Sequence, residues 1–216
     1  MVNIILLGNC GVGKSLLLNN LCQSQQKVGI SKRSVTEDLF WAQSKNVSLC
    51  VVDTPGVEKT NNLTSLTLRR ALRSLNWNLV VIMAKLDSRF EDNTLTQLRI
   101  LSRPFKNDDS KKVVFMVSHL DILDNLDGNS ANKEETLAAF ENNLRENDFK
   151  EPVILFSNHN SDFEGLSKIL YNCGSQVKPS TFSLDDKQFC RALGFPNSTD
   201  PQQQLISDLL QRLEEK

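Results

Sequence analysis

Lys14 and Ser15 close the segment Gly8-Asn9-Cys10-Gly11-Val12-Gly13-Lys14-Ser15, a spacing of glycines, ammonium and hydroxyl suited to holding phosphate. Glycines at 8, 11 and 13 allow backbone angles that a Cβ makes costly, so successive N–H groups can converge on an anion. Lys14 offers a flexible ammonium to the outer phosphates and Ser15 a hydroxyl ligand to Mg²⁺. Main-chain contacts from Asn9, Cys10, Gly11, Val12, Gly13 and Leu16 would complete the cradle. The apolar run Ile4-Ile5-Leu6-Leu7 leads in and Leu16-Leu17-Leu18-Asn19-Asn20-Leu21 leads out, so the loop joins a strand to a helix. The open N–H groups and dipole of that helix add to the attraction. A glycine-rich turn with an incidental Lys-Ser is the plainer alternative, and the strand-loop-helix context weighs against it.

A second group stands at Asp53-Thr54-Pro55-Gly56, closing the apolar run Leu49-Cys50-Val51-Val52. A carboxylate at the end of a buried strand can hold nucleotide-bound Mg²⁺, and Gly56 can bring its N–H to a terminal phosphate. Alone, Asp-Thr-Pro-Gly is a common turn; one core strand after a phosphate loop, it points to a nucleotide-dependent switch. Between the two motifs lies the polar stretch Ser31-Lys32-Arg33-Ser34-Val35-Thr36. A hydroxyl there can ligate Mg²⁺ when a third phosphate is present, and Thr36 takes that role, with Ser34 its competitor and an ordinary solvated loop the alternative. Lys14, Thr36 and Gly56 are thus the expected catalytic residues, and Ser15, Thr36 and Asp53 the expected metal ligands.

These groups need a scaffold that carries them to one end of a sheet. Short apolar runs predict strands at residues 3–7, 37–42, 47–52, 78–84, 112–117 and 152–156. Amphipathic stretches predict helices at 14–23, 63–74, 92–101, 132–146 and 162–172. Only Ser44-Lys45-Asn46 separates the second strand from the third, which makes that pair an antiparallel hairpin. The other strands are joined by helical crossovers, so the expected fold is α/β: a mixed six-strand sheet, mostly parallel with one antiparallel edge strand, and helices on both faces. Ligands in such sheets bind beyond the carboxyl ends of the strands, where every motif named here falls. Trp41 and Trp77 are expected to be packing residues, Trp41 near enough to the presumed switch loop to report its state by fluorescence.

Composition narrows the class. A chain of 216 residues makes one domain the default. With 25 basic and 26 acidic residues, nothing global steers it to nucleic acid or to an anionic surface. The five cysteines, Cys10, Cys22, Cys50, Cys173 and Cys190, form no C-x-x-C pair, which argues against a disulfide framework or zinc ribbon and for a reducing, cytoplasmic setting. No basic leader precedes the first strand, and no apolar stretch approaches the roughly 20 residues that span a bilayer, so no membrane span is expected.

The phosphate loop, Ser34-Val35-Thr36 and Asp53-Thr54-Pro55-Gly56, followed by Val80-Val81-Ile82-Met83-Ala84 and Arg89-Phe90-Glu91-Asp92, resemble the avirulence-induced and immunity-associated GTPases. These are relatives of septins and of chloroplast outer-envelope import receptors, within the translation-factor class of P-loop GTPases. The resemblance runs over residues 2–173. It implies a three-layer GTPase domain that takes GTP or GDP with Mg²⁺ and, through its septin-like relatives, a homodimer across the nucleotide site.

The base-reading box departs from the usual Asn-Lys-x-Asp and reads Ser118-His119-Leu120-Asp121. Asp121 keeps the carboxylate that accepts two hydrogen bonds from a guanine edge, a pattern adenine does not offer. His119 either stacks on the base, as the resemblance suggests, or is a half-exposed loop histidine. Phe156-Ser157-Asn158-His159 resembles the family's fifth box, in which Ser157 and Asn158 would contact the base. Where many small GTPases place a water-orienting glutamine after the Asp-x-x-Gly box, this chain has Val57, so intrinsic hydrolysis should be slow unless a partner or second subunit supplies a group. Arg89 and His119 are the nearest such groups in sequence, Arg89 being otherwise an ordinary surface charge.

Residues 1–182 are read as the GTPase domain and 183–216 as a helical extension, in which 205–213 carries an apolar stripe for docking on the domain or for a partner helix. Three functions stay open: a slowly hydrolysing guanine-nucleotide switch, a nucleotide-dependent scaffold with negligible hydrolysis, and a P-loop small-molecule kinase.

Overall fold

Runs of Val, Ile, Leu and Met with hardly a polar residue make strands that must be covered on both faces. The computed structural model describes residues 1–25, 39–57, 68–69, 71–73, 75–86, 92–105, 113–121, 135, 138, 142, 146, 153–155, 162–182 and 189. In chain order these form β1 (Val2–Gly8), α1 (Lys14–Cys22), β2 (Phe40–Gln43), β3 (Leu49–Asp53), β4 (Leu79–Lys85), α2 (Asp92–Ser102), a 3-10 turn (Arg103–Phe105), β5 (Val113–Ser118), β6 (Val153–Leu155) and α3 (Phe163–Ser175). Residues 68–69, 71–73, 135, 138, 142, 146 and 189 are also helical.

The strands hydrogen-bond in the order β2-β3-β1-β4-β5-β6, five of them mutually parallel and β2 antiparallel at one edge. The two-residue period of the strands divides the core in two. Ile4, Leu6, Val81 and Met116 face a layer closed by Leu17, Leu18 and Leu21 of α1 and Leu166 and Leu170 of α3. Ile5, Leu7, Ile82 and Phe115 face the opposite layer, closed by Leu68, Leu72 and by Leu95 and Leu98 of α2. The helices expected on both faces are therefore seen among the described residues.

Two expectations are corrected. The β2-β3 link is longer than Ser44-Lys45-Asn46: Ser44 N–H donates to the Leu49 carbonyl at 2.9 Å, and Val47, read as strand, lies in the loop and packs against the α1-side core. A half-buried β-branched residue in a loop imitates a strand start in sequence. Trp41, expected to pack, is 62% exposed, because β2 is the outermost strand. Trp77 does pack, fully enclosed, with its indole N–H donating to the Ala71 carbonyl.

After α3 the chain crosses from one face of the sheet to the other. Asn78, at the start of β4, holds that crossing: its amide donates to the carbonyls of Gly174 and Val177, and its oxygen accepts the Asn3 N–H. Ser180 then exchanges two main-chain hydrogen bonds with Trp77, and Phe182 N–H donates to the Leu72 carbonyl. Phe182 meets Phe105 edge-on at 5.2 Å, and Phe189, the one described residue beyond 182, is fully buried in the same cluster. Truncating a buried phenylalanine costs about 3–5 kcal/mol. Phe189→Ala should therefore lower the urea unfolding midpoint by a corresponding amount without changing the slope of the transition; an unchanged midpoint would show that Phe189 contributes nothing to the core.

Candidate nucleotide-binding site

The loop between β1 and α1 starts at Gly8 for want of space rather than for an unusual angle. A Cβ there would sit 2.5 Å from the Met83 carbonyl oxygen and 2.9 Å from Val12 Cγ2. Gly11 and Gly13 are the positions with left-handed backbone, at φ 77° and 89°. Gly13 caps α1 with no side-chain hydrogen bond and no acidic residue follows in the first turn, which keeps the positive end of the helix clear for an anion. Val12 turns its side chain into the core, so the loop is anchored at its midpoint.

Lys14 is buried, and its ammonium donates to the carbonyls of Gly8 and Asn9, both at 2.9 Å. That arrangement folds the lysine over the loop and holds its charge at the loop's mouth. Ser15 Oγ donates to Asp53 Oδ2 at 2.6 Å, across 38 residues of sequence. These two oxygens fit Mg²⁺, a hard cation that commonly takes one or two protein oxygens and fills its other positions with water and phosphate oxygens. Asp53 itself is fully buried, so a cation beside it would offset the cost of keeping its charge from water.

The segment after Asp53 is fastened from both sides. Thr54 Oγ1 donates to the Leu6 carbonyl at 2.7 Å. Gly56 lies so close to Cys10 that a Cβ would overlap the Cys10 sulfur and main chain, which brings the end of this loop onto the phosphate loop. Val57 is buried in the core layer that contains Leu68 and Leu72, so its side chain faces away from any phosphate.

Ser118 has a role that its place in the box did not suggest. It is fully buried, and its hydroxyl lies 2.9 Å from the Val12 carbonyl, 3.3 Å from the Ala84 carbonyl and 2.8 Å from His119 Nδ1. A hydroxyl has one proton to give. Directed to Val12, its nearer carbonyl, that proton ties the end of β5 to the phosphate loop, with the His119 ring at hydrogen-bond distance from the same oxygen. Ser118 thus braces the phosphate loop from behind. His119 adopts φ 65°, a left-handed angle that costs a non-glycine residue about 1 kcal/mol or more. Asp121 follows half-buried in a 3-10 turn whose Leu120 packs against the core. Asn9, Cys10 and Leu16 are part-exposed along the loop and first helical turn. Thr36, its competitor Ser34, Arg89, Ser157 and Asn158 lie outside the described residues.

A brace of one hydrogen bond is worth about 1 kcal/mol, more when its loss leaves a buried carbonyl bare. Ser118→Ala should weaken nucleotide binding about tenfold while Ser118→Thr retains most of it, as measured by titration with a fluorescent nucleotide analogue. Equal affinity for wild type and Ser118→Ala would remove the brace from the site.

Comparison with known proteins agrees with this geometry. Residues 3–158 match the 50S ribosome-binding GTPase family. The tRNA modification GTPase MnmE of Staphylococcus aureus is 28% identical over 134 residues, 59% of this chain but only 27% of that protein, so the chain spans about a quarter of that relative. Toc33 from Arabidopsis thaliana in complex with GDP and Mg²⁺ superimposes with a TM-score of 0.60 at 17% identity, covering 84% of this chain and 88% of that one. NFeoB from S. thermophilus bound to GDP·AlF4⁻ and K⁺ gives 0.56 at 20% identity, over 87% of this chain and 68% of that one. At such identities the structural likeness speaks for the fold, while the family match rests on the sequence from the phosphate loop through the base-reading box: the chain belongs to the 50S ribosome-binding GTPase family.

Proposed function

We propose that this chain is a guanine-nucleotide switch that binds GTP or GDP with Mg²⁺ and hydrolyses GTP slowly. The contact between Ser15 and Asp53 carries the reading, because it joins the phosphate loop to the segment ending in Gly56. The family match supports the same chemistry.

In this mechanism the main-chain N–H groups of residues 9–16 and the Lys14 ammonium take the phosphate oxygens, and Ser15 and Asp53 hold the cation. Bound Mg²⁺ would supply neutralisation of charge on the outer phosphates. Lys14 exchanges carbonyl partners for phosphate oxygens, which costs little reorganisation because it already lies across the loop. Gly56 would meet the third phosphate through its N–H, and Thr36, by its place in the sequence, would supply a hydroxyl to the cation, so that both segments would respond to loss of that phosphate. Asp121 would read the guanine edge, and the resemblance assigns contacts with the base to Ser157 and Asn158 and stacking to His119.

Slow turnover follows from Val57. An aliphatic side chain committed to the core orients no water. The missing group is proposed to come from a second subunit across the nucleotide site. For chloroplast translocon components atToc33 and psToc159, dimerization is described as important for GTPase activity, and the psToc159/atToc33 structure resembles this chain with a TM-score of 0.59. The immunity-associated branch is supported by Ser34-Val35-Thr36 and Arg89-Phe90. A domain of residues 1–182 with an extension at 183–216, and a reducing cytoplasmic location, complete the proposal; the four described cysteines are free thiols, and burial pushes that of Cys22 up to about 11. The burial of Val57 also favours a second reading, a scaffold whose assembly follows nucleotide with negligible hydrolysis.

Lys14→Ala should lower nucleotide affinity about 100-fold, the scale of losing a charge-assisted contact. Unchanged affinity would end the phosphate-site reading. Asp121→Ala should erase the preference for guanine over adenine analogues in competition titrations, and a wild type that binds ATP as well as GTP would revive a P-loop kinase. Single-turnover GTP hydrolysis by dilute protein should run on the order of 10⁻⁴ s⁻¹ or below, the range of unassisted GTPases. A rate that rises steeply with protein concentration supports the dimer, and no turnover at any concentration supports the scaffold.

A further inference from the structure

The exposed edge of β2 combines two features that ask for a partner. It places Phe40, Trp41 and Gln43 at the surface, and among the described residues it ends the sheet. In the β2-β3 ladder Ser44 donates to Leu49, which makes Ser44-Leu49, Ala42-Val51 and Phe40-Asp53 the hydrogen-bonded pairs. By the alternation of an antiparallel ladder, the N–H and C=O of Trp41 and Gln43 point outward. Among the described residues no hydrogen bond meets them on that side. Phe40-Trp41-Ala42-Gln43 also has no charge or proline, residues with which natural proteins blunt an open edge. The chemistry that satisfies such an edge is another extended strand.

We propose that this edge pairs with the β2 edge of a second copy of the chain, about a two-fold axis at Ala42, to make one continuous sheet through two domains. The outward groups are self-complementary. An axis at Ala42 sets Trp41 of one copy opposite Gln43 of the other, and each of these two pairs makes two main-chain hydrogen bonds. Trp41 and Gln43 share a face of the strand, so the two indoles become diagonal neighbours at roughly 7–8 Å, within reach of aromatic contact. The two-fold closes on itself, so each β2 edge is used once. This association does not rest on the nucleotide reading and uses a face other than a dimer across the nucleotide site, although Phe40, opposite Asp53, ties its end to that site.

Sedimentation equilibrium of the full chain from micromolar to millimolar concentration tests the pairing. Wild type should show a reversible monomer-dimer equilibrium, and acrylamide quenching should fall with concentration, since Trp41 is exposed while Trp77 is 2% exposed. Gln43→Pro removes an outward N–H without touching the β2-β3 ladder, and Trp41→Lys or Trp41→Glu places like charges across the axis. Each should raise the dimer dissociation constant at least about tenfold, with far-UV circular dichroism unchanged. An equimolar mixture of Trp41→Lys and Trp41→Glu chains should associate again, an outcome particular to a two-fold that brings position 41 near itself. A wild type that stays monomeric would assign the edge to some other extended segment and overturn the proposal. So would dimers that persist undiminished in Gln43→Pro and both charge variants.

Discussion

The parallel register of β1 against β3 is the constraint on which the site depends. Ile5 lies opposite Val52, so β1 runs into Gly8 and β3 into Asp53 on the same side of the sheet. A slip of one residue would turn every side chain of a strand to the other face, and both faces are apolar core. The register is held because Ile4 and Leu6 belong to one core layer and Ile5 and Leu7 to the other. From it follow the hydrogen bond of Ser15 to Asp53 and that of Thr54 to Leu6.

The same economy of contacts ties the loops to the core. Val12 and Val57 insert into opposite layers, one from each phosphate-facing segment. Each loop is therefore pinned at a single apolar side chain while the backbone beside it stays available for ligand. At the far end of the sheet, Asn78 gathers the start of β1, the end of α3 and the crossing segment into one polar junction. A buried asparagine satisfied in this way specifies one path for the chain, since any other leaves its amide bare. The crossing brings Phe182 and Phe189 beneath residues 68–73, so the segment after α3 completes the layer that covers one face.

The base-reading box shows how a substitution is absorbed. A serine is shorter than the usual asparagine, yet Ser118 sits deep enough at the end of β5 for its hydroxyl to reach both the Val12 and Ala84 carbonyls. His119 Nδ1 lies at hydrogen-bond distance from the same oxygen, on a residue with left-handed backbone. The pair thus works as a brace between the phosphate loop and the end of β5, with Asp121 two residues beyond His119.

Much of this was legible in the residues alone. The glycine-lysine-serine spacing, the apolar strand before it and Asp53 after a second strand determine a phosphate loop in an α/β sheet, because local turn chemistry and two-residue periodicity are written in short windows. The mixed, mostly parallel character of the sheet follows from the same signals, while the order of its strands is set by the packed structure. What lies beyond a local window was decided by tertiary structure. Val47 looked like strand and is part of a loop, half-buried against the core; Trp41 looked like core and stands at an edge, since hydrophobicity does not say which strand is last. Gly8 is glycine because Met83, on a neighbouring strand, leaves no room. Ser118 acts on a carbonyl 106 residues away, a pairing that no spacing encodes and only the packed sheet brings within 2.9 Å.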